Sequence, residues 1–355
     1  MIIARTPFRI SFLGGGTDYP AWYRQHGGAV LASTIDKYCY ITCRYLPPFH
    51  EHRIILVYSK MELCDAIDEI KHPGAREVLR FLKVDRGVEI HTDADLPGRS
   101  GMGSSSAFTV GLLHAVHALQ GRMVGKQQLA IESIKLEQEI LQETVGSQDQ
   151  VLAAYGGLNH VLFHPNGEIS VHPITITPQR VAEFNSYLML FYTGIRRTAA
   201  NVAGTYIHAI DDRAPQLRLM KDLVERGLAI LNSSDRLTGF GHLLHEAWEA
   251  KRSLSATVSN QEVDSLYARA RGAGAIGGKL TGAGGGGFLL LFAEPDKHDA
   301  IRDALGDLIH VPVNLDFSGS QIVYYGSEQD YSAVAQSRAG GSIKPFRELN
   351  LDEPK

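Results

Sequence analysis

The sequence lacks the features that mark a disulfide-rich, membrane-spanning or nucleic-acid-binding protein. Its only cysteines, Cys39, Cys43 and Cys64, have no CxxC spacing, which argues against a disulfide scaffold and favours reduced, buried thiols. No apolar stretch reaches transmembrane length, and Arg5 and Arg9 interrupt the apolar N-terminus where a signal peptide needs an unbroken run. The net charge is −4, without a long Lys/Arg run. We therefore expect a cytoplasmic protein with no membrane and no nucleic-acid partner.

Length and local pattern divide the chain into two parts. At 355 residues it exceeds the size at which a single hydrophobic core stops growing, which predicts two domains. In the first part we expect strands at Ile2–Leu13, 30–44, 54–59, 88–93, Leu158–Phe163 and 187–192, and helices at 75–82, Ser104–Leu119 and 127–143. In the second part we expect helices at 198–210, 216–232, 238–254, 261–273 and 297–306, and strands at 287–292, 308–315 and 321–325. The predicted fold class is α+β, with domains at 1–192 and 193–355.

A stretch rich in glycine and serine, residues 97–107, lies between a predicted strand and a predicted helix. Glycines let the backbone approach a ligand closely, and a helix N-terminus presents unpaired N–H groups and a positive dipole end to an anion. No Lys follows the glycines, so this is not a Walker A loop, and the spacing does not fit a GxSxG elbow. The stretch predicts a phosphate-binding loop, with a serine N-cap after a flexible loop as the structural alternative.

Two further glycine clusters adjoin predicted strands. Residues 279–287 contain GxGxxG, but a strand follows, and this argues against a Rossmann dinucleotide loop. The segment is able to pass close to a ligand or, alternatively, to form a bulge or tight corner. Gly14, Gly15 and Gly16 end the first strand, and the following Thr17 and Asp18 favour either hydrogen bonding to a polyol or a simple turn.

Asp149 follows a loop and leads into an apolar run, which makes it a candidate catalytic base. The acidic residues before it, Glu137, Glu139 and Glu143, lie in a predicted helix. On their own they are typical of a solvated helix face.

Together these segments resemble the GHMP kinase family, which contains galacto-, homoserine, mevalonate and phosphomevalonate kinases. The family's three motifs occur here in order: P-x-R-x-x-x-x-G at 7–14, P-x-G-x-G-[LM]-G-S-S-A at 97–107 with one extra serine, and K-x-[ST]-G-A-G-x-G-G at 279–287. The resemblance implies an N-terminal domain like domain 2 of ribosomal protein S5 and a ferredoxin-like C-terminal domain.

The resemblance also implies roles for individual residues. ATP would place its phosphates on Pro97, Gly98, Gly101, Met102, Gly103, Ser104, Ser105 and Ser106. Mg²⁺ would be held by Ser105 and Glu137, with Gln138 and Glu139 as neighbouring registers. Asp149 would be the catalytic aspartate and Arg9 its partner. The third motif would close over the phosphates and the substrate with Gly282, Gly284 and Gly285.

Departures from the family pattern reduce the number of sugars that are candidate phosphate acceptors. Galactokinases carry G-E-H-T-D-Y after the first strand, whereas this chain has G-G-G-T-D-Y at 14–19. That variant resembles the branch of the family that acts on heptose phosphates and fucose. It implies substrate contacts by Gly15, Gly16, Thr17 and Asp18. Arg196 and Arg197 favour either capture of a phosphate already on the substrate or a surface basic pair.

We therefore expect an ATP-dependent kinase that phosphorylates the anomeric C1 hydroxyl of D-glycero-D-manno-heptose 7-phosphate to the 1,7-bisphosphate. An L-fucose kinase or another sugar-1-kinase is the alternative among enzymes. A non-catalytic sugar or nucleotide sensor is the alternative from another class, although a sensor would tolerate the loss of Asp149 and Arg9. The expected partner is a small-molecule sugar phosphate, and the sequence is compatible with a homodimer.

Overall fold

Two long antiparallel strands, β1 (Ile2–Leu13) and β2 (Gly28–Tyr45), form the centre of the larger sheet. The computed structural model describes residues 1–47, 50–98, 100–195, 204–205, 207, 210–327 and 331–339. The shorter strands of this sheet are β3 (Ile54–Val57), β4 (Met61–Cys64), β5 (Val88–Ala94), β6 (Leu158–Phe163), β7 (Ile169–Pro173), β12 (Leu315–Asp316) and β13 (Gln321–Tyr325). The order is β13–β1–β2–β5–β3–β4, and β6 and β12 also pair with β2, with β7 beside β6.

A smaller antiparallel sheet has the order β11–β8–β10–β9. Its strands are β8 (Leu188–Tyr192), β9 (Gly277–Leu280), β10 (Phe288–Phe292) and β11 (Ile309–Val311). Every residue of β10 is buried, which explains its uninterrupted apolar sequence.

The α-helices with both ends described are α1 (Pro20–His26), α2 (Pro73–Phe81), α3 (Ser104–Leu119), α4 (Lys126–Ile134), α5 (Gln148–Tyr155), α6 (Pro178–Tyr187), α7 (Ala214–Asn232), α8 (Thr238–Arg252), α9 (Gln261–Gly272), α10 (His298–Ala304) and α11 (Ser332–Ala339). A π-helical segment, Lys135–Ile140, continues α4. Side-chain caps fix three of the helix starts, because His72 accepts from Ala75 N, Thr177 from Arg180 N and Asn260 from Val263 N. Across the described part of the chain, no helix is long and apolar enough to cross a membrane.

The predicted α+β class is confirmed, whereas the division at residue 193 stays a prediction. The two sheets exchange chain segments, because β8 pairs with β10 in the smaller sheet while β12 and β13 return to pair with β2 and β1. Most of the predicted helix at 198–210 lies outside the described residues, as do Arg196 and Arg197.

An aromatic cluster packs the end of β1 against the smaller sheet. The ring of Phe12 contacts Phe184 and Phe240 edge-on, with centroids 5.2 and 5.9 Å apart, and Phe184 and Phe240 both contact Phe292 of β10. All four rings are buried. This packing joins the end of β1 to the sheet whose strand β9 leads into the third glycine motif.

Candidate active site

The second and third glycine motifs meet through their backbones. A Cβ on Gly282 would lie 2.5 Å from Gly101 Cα, and a Cβ on Gly287 would lie 2.2 Å from Ser100 O. Gly101 and Gly282 also have φ of +79° and +67°, where L side chains are strained. Glycine is therefore needed on both sides of this contact.

Arg9 of β1 forms a bidentate ion pair with Asp149. Arg9 Nε and Nη2 each donate to one carboxylate oxygen at 2.6 Å, and Nη1 donates to Gly101 O at 2.7 Å. The side chain of Arg9 is 5% exposed and that of Asp149 is 25% exposed, so the carboxylate keeps an open side. Such a fork fixes the orientation of the carboxylate. Asp149 lies in the first turn of α5, directly after the loop that precedes the helix, as the sequence indicates.

The predicted phosphate loop, residues 97–107, leads into α3 as the sequence indicates. Helix α3 begins at Ser104, directly after Gly103 with φ of +75°, and a Cβ on Gly103 would press on the Arg9 side chain at 3.1 Å. Pro97, Gly98 and Ser105 are exposed, so this surface is open to a ligand. The side chain of Met102 is instead buried in the core, and only its backbone is available: Met102 O accepts from Arg9 N at 3.1 Å.

Glu137 lies behind this loop, in the π-helical segment, and is fully buried. Its Oε2 accepts from Ser106 Oγ at 2.9 Å and from Gln150 Nε2, while Oε1 has no partner among the described residues. Burial raises the pKa of Glu137 to about 7, against hydrogen bonds that lower it. Ser106, rather than the predicted Ser105, therefore faces this carboxylate.

The turn at 14–18 brings Asp18 to the site but not the hydroxyl of Thr17. Asp18 is buried and accepts from Gly16 N at 2.9 Å and Gln148 N at 3.3 Å. Burial, with a smaller effect from the charge of Asp149, raises its pKa. The Thr17 hydroxyl bonds to the backbone at Gly14 O and Ala29 O, and it accepts from Ala29 N. Its role in the structure is to fix the turn, not to face a ligand.

Two buried polar side chains that the sequence reasoning missed lie over Gly15. A Cβ on Gly15 would lie 3.1 Å from Ser11 Oγ and 3.6 Å from Gln148 Nε2. Among the described residues, Ser11 Oγ and Gln148 Oε1 have no hydrogen-bond partner. Because unpaired buried polar atoms are costly, these two are suited to a hydroxylated ligand.

The third motif divides between two places. Gly282 packs on the phosphate loop, whereas Gly284 and Gly285 turn toward Val258: a Cβ on Gly284 would lie 2.5 Å from Val258 O, and Gly285 N donates to the same carbonyl at 2.9 Å. Of the three predicted glycines, the structure thus brings only Gly282 into contact with the phosphate loop.

Two buried lysines also approach the site. Lys279 of the third motif donates to Phe12 O at 3.0 Å, which ties β9 to the end of β1. Lys251 of α8 donates to Gly282 O. The sequence reasoning missed Lys251, although a signal existed: it shares the apolar stripe of α8 with Leu244, Ala247 and Trp248, where a lysine is out of place.

Comparisons with known proteins agree with this geometry. Residues 69–157 match the family described as GHMP kinases N terminal domain, and residues 221–309 match GHMP kinases C terminal. A D-glycero-alpha-D-manno-heptose 7-phosphate kinase from Campylobacter jejuni is 30% identical, over 86% of this chain and 93% of its own length. A bifunctional fucokinase/GDP-fucose pyrophosphorylase from Arabidopsis thaliana is 26% identical, over 84% of this chain but only 30% of its own length.

Among solved structures, a D-glycero-D-manno-heptose 1-phosphate kinase from Bacteriodes thetaiotaomicron has the same fold. Its TM-score is 0.75 at 23% identity, covering 92% of this chain and all of that one. Fold and relatives thus define a phosphotransferase with an alcohol group as acceptor. The chain belongs to the GHMP kinase family, and within that family of ATP-dependent enzymes it is a sugar kinase.

Substitution of Gly282 by Ala should separate the two glycine motifs. The new Cβ cannot fit against Gly101, so the third motif must move and misplace the phosphate loop. We expect sugar-dependent ATP turnover to fall by about 10-fold to 10²-fold, the cost of a small misplacement at a reacting centre. Gly272→Ala is the control, since nothing lies within 4 Å of a Cβ at that position. Equal turnover of both variants would contradict a functional contact.

Proposed function

We propose that this chain transfers the terminal phosphoryl group of ATP to the C1 hydroxyl of D-glycero-D-manno-heptose 7-phosphate, giving the 1,7-bisphosphate. The observation that carries the proposal is the bidentate Arg9–Asp149 pair beside the glycine loop. It provides an oriented, partly open carboxylate next to a surface suited to phosphates, which is the arrangement that phosphoryl transfer to a hydroxyl needs. A cytoplasmic location follows from the proposed use of ATP.

The choice of acceptor is supported by the relative from C. jejuni and by the polar side chains around Gly15. Ser11 and Gln148 flank Gly15, and Gln148 N also donates to Asp18, so these polar side chains are grouped at one turn. Carboxylate, amide and hydroxyl groups are the partners that sugar hydroxyls use. A sugar placed here would present a hydroxyl to Asp149.

Asp149 accepts or orients the proton of the attacking hydroxyl in this proposal. Arg9 holds the carboxylate in place through both oxygens. An anomeric hydroxyl is more acidic than an ordinary alcohol, so a carboxylate is a sufficient base. The N–H groups and positive end of α3 stabilise charge on the phosphates.

Glu137 and Ser106 fit the Mg²⁺ that the family implies. A buried carboxylate oxygen without a partner and a neighbouring hydroxyl are the hard oxygen ligands that Mg²⁺ prefers. When bound, Mg²⁺ would offset negative charge on the phosphates. Gln150 and Ser106 hold Glu137 in position through hydrogen bonds to Oε2.

A sugar panel tests the proposed acceptor. ADP release is measured with D-glycero-D-manno-heptose 7-phosphate, the same heptose without phosphate, and L-fucose, and ³¹P NMR locates the new phosphate. We expect the highest kcat/KM for the heptose 7-phosphate and a product phosphorylated at C1. If removal of the 7-phosphate leaves kcat/KM unchanged, the assignment of a phosphorylated acceptor fails.

The same panel separates the alternatives. L-fucose as the best acceptor would favour the fucose kinase that the A. thaliana relative represents. A product carrying its new phosphate elsewhere than C1 would point to a different reaction on the same class of sugar. A sensor would bind ATP or sugar without sugar-dependent ADP release.

A further inference from the structure

Lys251 of α8 is a buried cation in the site with too few partners of its own. The residue is 6% exposed, and its ammonium group has three N–H donors. Among the described residues it has one acceptor, Gly282 O, and no carboxylate within ion-pair distance. A buried ammonium group is costly unless it is paired, so this arrangement indicates an anionic ligand.

The neighbouring charges are already engaged. Asp149 is held by both nitrogens of the Arg9 fork, and Asp18 accepts from two backbone N–H groups. Neither of these carboxylates forms an ion pair with Lys251, whose only hydrogen-bond acceptor among the described residues is Gly282 O. Burial, together with the charges of Lys251 and Arg9, lowers the pKa of Lys279 well below its ordinary value. Lys279 Nζ donates a hydrogen bond to Phe12 O at the end of β1.

We propose that Lys251 is a further catalytic residue, one that contacts the transferring phosphoryl group and stabilises the charge that develops on it. This inference rests on the proposed function. The acceptor oxygen forms a bond to phosphorus as the bond to the leaving ADP oxygen breaks. The acceptor proton goes to Asp149. Lys251 keeps its proton throughout and supplies N–H donors to the phosphoryl oxygens, while its bond to Gly282 O holds the third motif in place.

The pKa of Lys251 agrees with this role. Burial, together with the charge of Arg9, lowers the pKa to about 8, while Asp18 and Asp149 oppose the shift. Lys279 of β9 also faces the group. The free enzyme should therefore lose kcat/KM as the pH rises above about 8, because the ammonium loses its charge.

The test compares Lys251→Met, which keeps length but removes charge, with Lys251→Arg, which keeps charge. For Lys251→Met we expect kcat to fall about 10²-fold with little change in the KM for ATP, the loss typical of a donor that acts on developing charge. Lys251→Arg should retain part of the activity and move the alkaline limb of kcat/KM to higher pH. The matched control is Lys221→Met, since Lys221 donates to a backbone carbonyl, His26 O, outside the site.

A second readout does not depend on turnover. Calorimetry measures the affinity for Mg²⁺ and ADP with and without aluminium fluoride, which mimics the transferring group. The fluoride should tighten binding to the wild type and to Lys221→Met but not to Lys251→Met. Circular dichroism during thermal unfolding confirms that each variant is folded. Unchanged kcat and unchanged tightening in folded Lys251→Met would overturn this role, whereas a wild type without sugar-dependent turnover would instead refute the proposed function.

Discussion

Replacement of Asp149 by Ala is expected to lower kcat by about 10²–10⁴, the range for loss of a general base. The structure supports an effect of this size because the site holds the Asp149 carboxylate in one orientation and leaves part of it accessible to a substrate. Arg9 binds both of its oxygens, and its side chain remains 25% exposed. The measurement is steady-state ADP release with saturating ATP and heptose 7-phosphate.

Controls distinguish chemistry from a loss of folding. Asp149→Ala leaves the buried charge of Arg9 unpaired, which is destabilising, so Asp149→Asn is measured as well because its amide oxygen still accepts from Arg9. Asp299→Ala is the matched surface control, since that side chain is 91% exposed on α10. A folded Asp149→Asn enzyme with wild-type kcat would remove Asp149 from the role of base.

A double-mutant cycle tests whether Arg9 acts through Asp149. If its task is to orient that carboxylate, Arg9→Met should lower kcat in the wild type but add little in the Asp149→Ala background. Additive losses would mean instead that Arg9 contacts the substrate or the transferring group directly.

The sequence predicted those parts of the site that local backbone chemistry encodes. Helix α3 has the predicted bounds, Ser104–Leu119, because glycines with positive φ stop the preceding loop and an apolar period follows. The pairing of Arg9 with Asp149 came from the family motifs. Both features depend on short motifs whose residue types and order in the sequence are specific to this family.

Side-chain direction was harder to predict than position. Ser104, Ser105 and Ser106 are the same residue type, and each step along a helix turns the side chain by about 100°, so only the tertiary structure decides which serine faces Glu137. The predicted helix at 127–143 ends instead in the π-helical segment, where a 3.6-residue period no longer applies. Threonine is a residue type that can bind a polyol, but Thr17 lies beside β2, where its hydroxyl forms hydrogen bonds with the backbone of Ala29.

Lys251 and β9 could not be predicted from the sequence because both depend on contacts between distant parts of the chain. A lysine on an apolar helix stripe marks an exception, but the sequence does not say which distant loop meets it; here that loop is the third motif at Gly282. Strand β9 was missed because Gly277 and Gly278 disfavour a strand. Close neighbours require both glycines: a Cβ on Gly277 would lie 1.9 Å from Gly241 O of α8, and a Cβ on Gly278 would lie 2.3 Å from Leu290 O of β10.

Substitution of Glu137 by Gln is expected to lower kcat by about 10²–10³ and to raise the Mg²⁺ concentration needed for half-maximal activity. The amide keeps the shape of the side chain and its contact with Ser106 but cannot supply an anionic metal ligand. Glu139→Gln is the matched control, because Glu139 is two residues away and exposed. Equal effects of the two substitutions on the Mg²⁺ dependence would show that the metal is held elsewhere.

Stability measurements on the metal-free protein test the same carboxyl group independently of turnover. Burial raises its pKa from 4.5 to about 7, so between these values the folded protein binds more protons than the unfolded chain. The free energy of unfolding should therefore fall as the pH rises through that window, by up to about 3 kcal/mol from this one group. In Glu137→Gln this contribution disappears, so without metal the variant should melt at a higher temperature than the wild type at pH 8.

Mg²⁺ added together with ADP should stabilise the wild type at pH 8 more than it stabilises Glu137→Gln, because binding the metal requires the ionised carboxylate. Equal stabilisation of the two proteins would contradict the assignment of Glu137 as a metal ligand.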